Sequence, residues 1–258
     1  MSACILQVAR LPLLSLRLQS KPAHLLRTMS ISSGTIQSTL GGFSTCEISD
    51  ALIKLGSPHG GYIPDINMLS PSDRSDRICG PAYTVQMVLG SNKDAPKLSA
   101  HFVDTASEGS VIVINTPERV KNAVWGGLMT AGAQSRGALG VVISGRCRDL
   151  AEHREASFPV FARGHSTLGQ SPFTRPSEVN VPLVIRSPDV SDQEFPPVRV
   201  EPGDWVIADE DGVVCVPAEK AEEVIGLAMK GREVDARCLE DIKAGKGVQE
   251  AFKKHRGK

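Results

Sequence analysis

The sequence has no Cys-x-x-Cys pair, no excess of either charge and no long apolar run, and each shortage closes off a class of protein. The six cysteines (Cys4, Cys46, Cys79, Cys147, Cys215, Cys238) are widely scattered. That pattern argues against a disulfide framework or a structural zinc site and fits reduced thiols inside a cell. Twenty-nine basic side chains balance 29 acidic ones, so net charge gives no reason to expect a nucleic-acid or anionic-membrane partner. No stretch is long and apolar enough to span a bilayer.

Catalytic signatures are missing too. The chain carries no Gly-x-Gly-x-x-Gly for a dinucleotide, no Gly-x4-Gly-Lys-Ser/Thr for a nucleoside triphosphate and no Gly-x-Ser-x-Gly elbow for a serine nucleophile. The six histidines show no i, i+4 pair that would hold zinc on a helix face. His165 reads as a solvated loop residue. No lysine lies between Asn122 and Gln170, which leaves the central segment without a Schiff-base former.

The N-terminus lacks acid altogether. From Met1 to Cys46 there is no Asp or Glu, while Arg10, Arg17, Lys21 and Arg27 are spread among Leu, Ser and Ala. This is the composition of a mitochondrial transit peptide. A secretory signal fits less well, because prolines and arginines interrupt the apolar run. The other readings are a disordered extension, or a cytoplasmic protein whose translation starts at Met29. Residues 1–33 are accordingly set apart, and residues 34–258 are expected to form a single domain.

What is present centres on Gly126-Gly127-Leu128-Met129 and, after one helix and one strand, Gly145-Arg146-Cys147-Arg148-Asp149-Leu150-Ala151-Glu152. The double glycine opens a helical pattern with Leu128, Ala131 and Ser135 on one face and Gly137 as its stop. Gly140 to Ser144 then reads as a buried strand. A helix start and a strand end can share one rim of a sheet. The free N–H groups there attract an anion, and glycine lets its backbone approach closely. Arg148 can clamp a carboxylate and Asp149 can hold a hard divalent cation. Together they suit a small oxo-acid bound on a metal.

The rest of the chain reads as α/β. Ser44-Thr45-Cys46-Glu47 has capping-box spacing and opens the folded part, with a helix through Ile48, Ala51, Leu52 and Leu55 that stops at Gly56. Asp50 and Glu47 fall in its first turn, where the helix dipole favours acid. Ser57 to Asp76 and Gly164 to Glu178 read as loops, and Leu98 to Ala106 as a short helix. Strands are expected at 83–88, 111–114, 159–162, 179–185, 198–200, 205–208 and 213–216. Asp209-Glu210-Asp211-Gly212 reads as an acidic hairpin turn. Pro217 opens a long C-terminal helix.

The collinear set Ile48-Ser49-Asp50-Ala51-Leu52, Gly80-Pro81-Ala82-Tyr83-Thr84-Val85, Gly127-x20-Arg148-Asp149-x2-Glu152 and Pro202-Gly203-Asp204 through Val214 resembles the RraA-like family. The likeness is to its 4-hydroxy-4-methyl-2-oxoglutarate aldolase and oxaloacetate decarboxylase branch. The resemblance implies a swivelling β/β/α sandwich, assembled as a homotrimer or a dimer of trimers with sites between subunits. It implies that the backbone of Gly126, Gly127, Leu128 and Met129 holds the substrate carboxylate and that Arg148 contacts a 2-oxo acid. It also implies that Asp149 anchors Mg²⁺ or Mn²⁺. Glu152 marks the enzyme branch, and the catalytic set is then Arg148, Asp149 and Glu152. Members of that branch form pyruvate through its enolate. Two departures stand out: Ser144 precedes Gly145 where the family often has Asp, and Asn115 ends a strand where many members have an acid. The contrasting expectation is a trimeric RraA-like interaction protein that has lost its chemistry.

Overall fold

The capping box at Ser44 forms as its spacing predicts. In the computed structural model, which describes Met1 and residues 32–71 and 77–257, Ser44 Oγ accepts from the Glu47 amide at 3.2 Å. Glu47 Oε2 in return accepts from the Ser44 amide at 2.8 Å. Helix α2 (Thr45–Lys54) follows, burying Ile48, Ala51 and Leu52, and Gly56 leaves it at φ 86°, a conformation open to glycine at little cost. The folded part starts earlier than Ser44, however. Helix α1 (Ser33–Leu40) is capped by Ser32 and buries Leu40 completely. Its polar sequence hides it from a search for apolar periodicity. The expected transit peptide lies, apart from Met1 and its last two positions, outside the described residues.

Strands β1 (Asn67–Ser70), β2 (Ile78–Leu89), β3 (Val111–Asn115), β4 (Ala123–Trp125), β5 (Gly140–Cys147), β6 (Val160–His165), β7 (Thr174–Val179), β10 (Trp205–Asp209) and β11 (Gly212–Val216) make one sheet. Its backbone path runs β1-β6-β5-β3-β2-β10-β11, with β4 pairing β5 and β7 pairing β2. The centre, β6-β5-β3-β2, is parallel. A separate antiparallel pair joins β8 (Leu183–Ile185) to β9 (Val198–Val200).

Alternation along the strands separates three cores. Ile112, Ile114, Val141 and Ile143 pack with Phe102 and Trp125 on one face, against helix α3 (Gly127–Ser135). Val111, Val113 and Val142 point to the other face, against Leu183, Ile185, Val206 and Val213. The opposite sides of β10 and β11, through Trp205, Ile207, Val214 and Val216, meet Leu40, Ile48 and Leu52. Helix α5 (Ala221–Lys243) closes that layer with Val224, Ile225 and Ala228. The result is the expected α/β sandwich with its long C-terminal helix. Each fully buried Ile or Val contributes about 1.5–3 kcal/mol, and truncating Ile112 to Ala should cost about 2–5 kcal/mol.

Elsewhere the structure departs from the local reading. A strand, β1, lies in the 57–76 stretch, whose residues 72–76 fall outside the described set. Only one 3-10 turn, Phe102–Thr105, forms in 98–106. The segment 164–178 yields β7, whose sequence TRPSEV is too polar to signal a strand; it forms on the free edge of β2. The 179–185 run is split, because β7 ends at Val179 and β8 begins at Leu183. A further helix, α6 (Val248–Arg256), turns back on α5, and Cys238 packs against Ala251.

Candidate active site

The short strand β4 assembles the site. It pairs in parallel with the last residues of β5, Trp125 opposite Cys147, and the Arg148 amide donates to Trp125 O at 2.9 Å. That register sets the first turn of α3 beside the strand end carrying Arg148 and Asp149. Asp149 is the N-cap of α4 (Leu150–Glu155) and sits at φ 61°, ψ 42°, a left-handed conformation that Asp tolerates better than most residues.

Its carboxylate reaches across to α3. Asp149 Oδ2 accepts from the Gly127 amide at 3.1 Å and lies 3.3 Å from Arg148 Nε. Among the described residues, Oδ1 has no protein partner. A Cβ built on Gly126 would lie 2.5 Å from Asp149 Oδ2 and 3.3 Å from Arg148 Nε. Any side chain at 126 would therefore displace the Asp149 carboxylate. The amides of Met129 and Thr130 donate to Gly126 O, and Asp149 takes that of Gly127. Among the described residues no hydrogen bond engages the amides of Gly126 or Leu128, and these are the donors left for an anion.

Gly126, Leu128, Met129, Arg148 and Asp149 line one cleft of about 120 Å³ with Ala123, Val124, Trp125 and Gln170. Its polar end is the Arg148–Asp149 pair and its other walls are mostly apolar. Glu152 is not in this cleft. Its carboxylate lies over Gly127, where any Cβ would collide with it. With Thr130, Gln134 and Glu155 it lines a neighbouring hollow of about 250 Å³. Gly127 separates the two.

Behind the cleft runs a buried polar chain that the spacing of the sequence does not reveal. Trp125 Nε1 donates to Thr130 Oγ1 at 2.9 Å, and that hydroxyl is 2.9 Å from His153 Nδ1. His153 is fully buried. Burial pushes its pKa down, while the Arg148 backbone and the charges of Asp149 and Glu152 oppose that shift and Arg154 adds to it. The chain fastens α4 to α3 and to the end of β4.

The remaining candidates fall outside the cleft. His165 is exposed at the end of β6. Asn115 and Ser144 are cross-strand partners in β3 and β5. The Asn115 amide donates to Gln86 Oε1 at 3.2 Å and to Val184 O at 3.3 Å. Asp209 is buried rather than solvated, accepting from Thr45 N at 3.0 Å, Thr45 Oγ1 at 2.7 Å and Arg77 Nε at 3.2 Å. Among the described residues no three His, Cys, Asp or Glu converge to enclose a metal ion. A cation at the Asp149 carboxylate would take its other ligands from water or substrate.

Residues 45–215 match the family described as RraA-like, Aldolase/RraA. The chain is 30% identical over 226 residues to protein DlpA of Legionella pneumophila, covering 86% of this chain and 34% of that protein. It thus spans about a third of DlpA's length. It is 31% identical over 192 residues to a protein of Halalkalibacterium halodurans named "Putative 4-hydroxy-4-methyl-2-oxoglutarate aldolase", covering 74% and 80%. Among solved structures, an uncharacterized protein from Pseudomonas syringae pv. tomato superposes with a TM-score of 0.70 at 30% identity, over 85% of this chain and 97% of that one. Streptomyces coelicolor RraAS2, described as an unusual member of the RNase ES inhibitor RraA protein family, shares the fold. Its TM-score is 0.66 at 24% identity, over 83% of this chain and 98% of that one.

Proposed function

Because this chain belongs to the RraA-like family, we propose that it is a divalent-metal-dependent carbon–carbon lyase acting on 2-oxo dicarboxylic acids. The reactions would be aldol cleavage of 4-hydroxy-4-methyl-2-oxoglutarate, decarboxylation of oxaloacetate, or both. The observation that carries the proposal is one cleft joining the start of α3 to Arg148 and Asp149. Relatives named as aldolases of this type support a lyase.

In this proposal the substrate carboxylate takes the free amides of Gly126 and Leu128, at the positive end of α3. Arg148 is held by Asp149 on its Nε side, which leaves its other N–H groups for the keto oxygen, where negative charge grows as the carbon–carbon bond breaks. The Asp149 carboxylate fits Mg²⁺ or Mn²⁺, since it offers a hard oxygen without a protein partner and such ions keep several waters. Bound there, the ion would supply Lewis-acid polarisation of the keto oxygen. In oxaloacetate the departing group is CO₂ and no base is needed. Aldol cleavage requires loss of the 4-hydroxyl proton. Asp149 is the sole carboxylate lining the cleft among the described residues, so that proton would pass to water.

The proposal includes assembly as a homotrimer or dimer of trimers. Leu128 at the rim is 90% exposed, an apolar side chain that a neighbouring subunit would cover. It also includes a mitochondrial destination, which a reporter fused to residues 1–33 would test. For the activity, pyruvate release is measured from both substrates with Mg²⁺, with EDTA and with Asp149→Asn. Free Mg²⁺ itself accelerates oxaloacetate decarboxylation, so the variant is the essential control. Wild type should exceed it by a factor of about 10²–10³. Equal rates at the metal blank would leave the non-catalytic alternative.

A further inference from the structure

The loop 166–173 between β6 and β7 contributes Gln170 to the cleft lining, and the protein leaves that side-chain amide unused. This loop is firmly held. The Ser166 amide donates to Cys147 O at 2.9 Å, and the Ala123 amide to Leu168 O at 2.9 Å. Gln170 O accepts from the amides of Phe173 at 3.0 Å and Thr174 at 2.9 Å. The loop lies against Arg148, the cation lining the cleft among the described residues. A Cβ built on Gly169 would be 3.0 Å from Arg148 Nη1. Gln170, the next residue, lines the cleft together with Arg148 and Asp149.

The Gln170 side chain has no protein partner among the described residues at either end of its amide. Its Oε1 is shielded from solvent and unpaired. Shielded polar atoms in folded proteins are nearly always paired, and an exception calls for a reason. Here the other lining side chains beyond Arg148 and Asp149 are Ala123, Val124, Trp125, Leu128 and Met129. None of them can hydrogen-bond a group at the far end of a ligand except the Trp125 indole, and its N–H is already given to Thr130.

We infer that Gln170 is a specificity-determining residue, whose side-chain amide hydrogen-bonds the distal polar group of the bound 2-oxo acid. This rests on the proposed function for the near end of the ligand, where the α3 amides, Arg148 and Asp149 take the 2-oxo acid moiety common to all such substrates. A neutral amide suits the distal end of several of them. It donates to a second carboxylate and also accepts from a hydroxyl at carbon 4. A 2-oxo acid without a distal polar group leaves the amide unpaired, so the cost falls on the wrong ligand.

The test is binding of two probes, pyruvate and 2-oxoglutarate, to the full chain with Mg²⁺ present, followed by calorimetry for wild type, Gln170→Ala and the isosteric Gln170→Glu. Gln170→Ala should raise the dissociation constant of 2-oxoglutarate roughly tenfold. Gln170→Glu should raise it further by repulsion of the second carboxylate. Pyruvate should change less than about twofold in Gln170→Ala, and in Gln170→Glu it should lose less than 2-oxoglutarate does, which also shows that both variants are folded. An unchanged preference between the probes, or an equal loss for both, overturns the assignment of Gln170 while leaving the proposed function in place. Failure of wild type to bind either acid overturns both.

Discussion

The amide of Gly127 donates to Oδ2 of Asp149 at 3.1 Å across 22 positions of sequence, tying the first turn of α3 to the cap of α4. The contact fixes the carboxylate by one oxygen and, among the described residues, leaves the other without a protein partner. It also depends on there being no side chain at 126.

Gly126→Ala tests that dependence. The new methyl would sit 2.5 Å from Asp149 Oδ2, and the carboxylate must swing away. The expected result is a fall of about a hundredfold in kcat/KM for pyruvate release with the melting temperature nearly unchanged, since displacement of a reacting group by about 1 Å costs that much. A variant with full activity would show that Asp149 is not held for catalysis.

Arg148→Lys keeps the charge and loses the planar fork. Arg148 lies beside Asp149 through Nε and against the 166–173 loop through Nη1. A lysine ammonium cannot serve both directions at once. KM should rise roughly tenfold to a hundredfold, read from initial rates across a range of substrate concentrations.

The burial of His153 predicts an acid-labile fold. Its pKa is depressed in the folded state below the ordinary 6.5, so the unfolded chain binds the extra proton first. The resulting stability is complete above about 6.5 and is lost as pH falls through the depressed value. Urea midpoints measured at descending pH should decline through this window, and less steeply for His153→Gln. Parallel declines would assign the effect to other groups.

A second acid transition lies lower. Arg232 donates to Glu47 from Nε at 2.6 Å and from Nη2 at 2.8 Å, and with the Ser44 cap it overcomes partial burial to hold the Glu47 carboxyl down to about 2. That group stabilises the fold above its ordinary 4.5, and the contribution disappears as pH falls toward about 2. Arg232→Met should lower stability by about 1 kcal/mol at neutral pH, a melting shift of about 2–4 °C. It should also flatten the acid limb seen by calorimetry.

Asn115→Asp tests whether an acid can replace the amide at the end of β3. Asn115 Nδ2 donates to Gln86 Oε1 and to Val184 O. An aspartate would present an oxygen to the Val184 carbonyl instead. The expected cost is about 1–3 kcal/mol, read from urea unfolding at neutral pH. Unchanged stability would mean that this pair tolerates the acid.

Much of this molecule is written locally. The short, continuous runs at 111–114 and 140–143, rich in β-branched residues, read as strands covered on both faces, where every second residue is buried on each side. Ser44 with Glu47 sets the start of α2, and Gly56 ends it. Gly126-Gly127 at a helix start and Arg148-Asp149 after a strand already read as one rim of the sheet, and Gly126, Arg148 and Asp149 do line one cleft. These readings hold because propensity, capping and alternation act over a few neighbours.

Tertiary structure alone decided the rest, for reasons of distance. The strand β7 is too polar to announce itself and exists because β2 offers an open edge. Asp209 reads as part of an acidic hairpin turn, yet the fold buries it against Thr45, 164 positions away. Glu152 shares a motif with Asp149 but lines another hollow, its carboxylate lying over Gly127, because Asp149 sits in a left-handed cap outside the helix that carries Glu152. Gln170 carries no local signal at all. It enters the cleft because the loop after β6 closes on Arg148, and only the pairing of β4 with β5 brings those segments together.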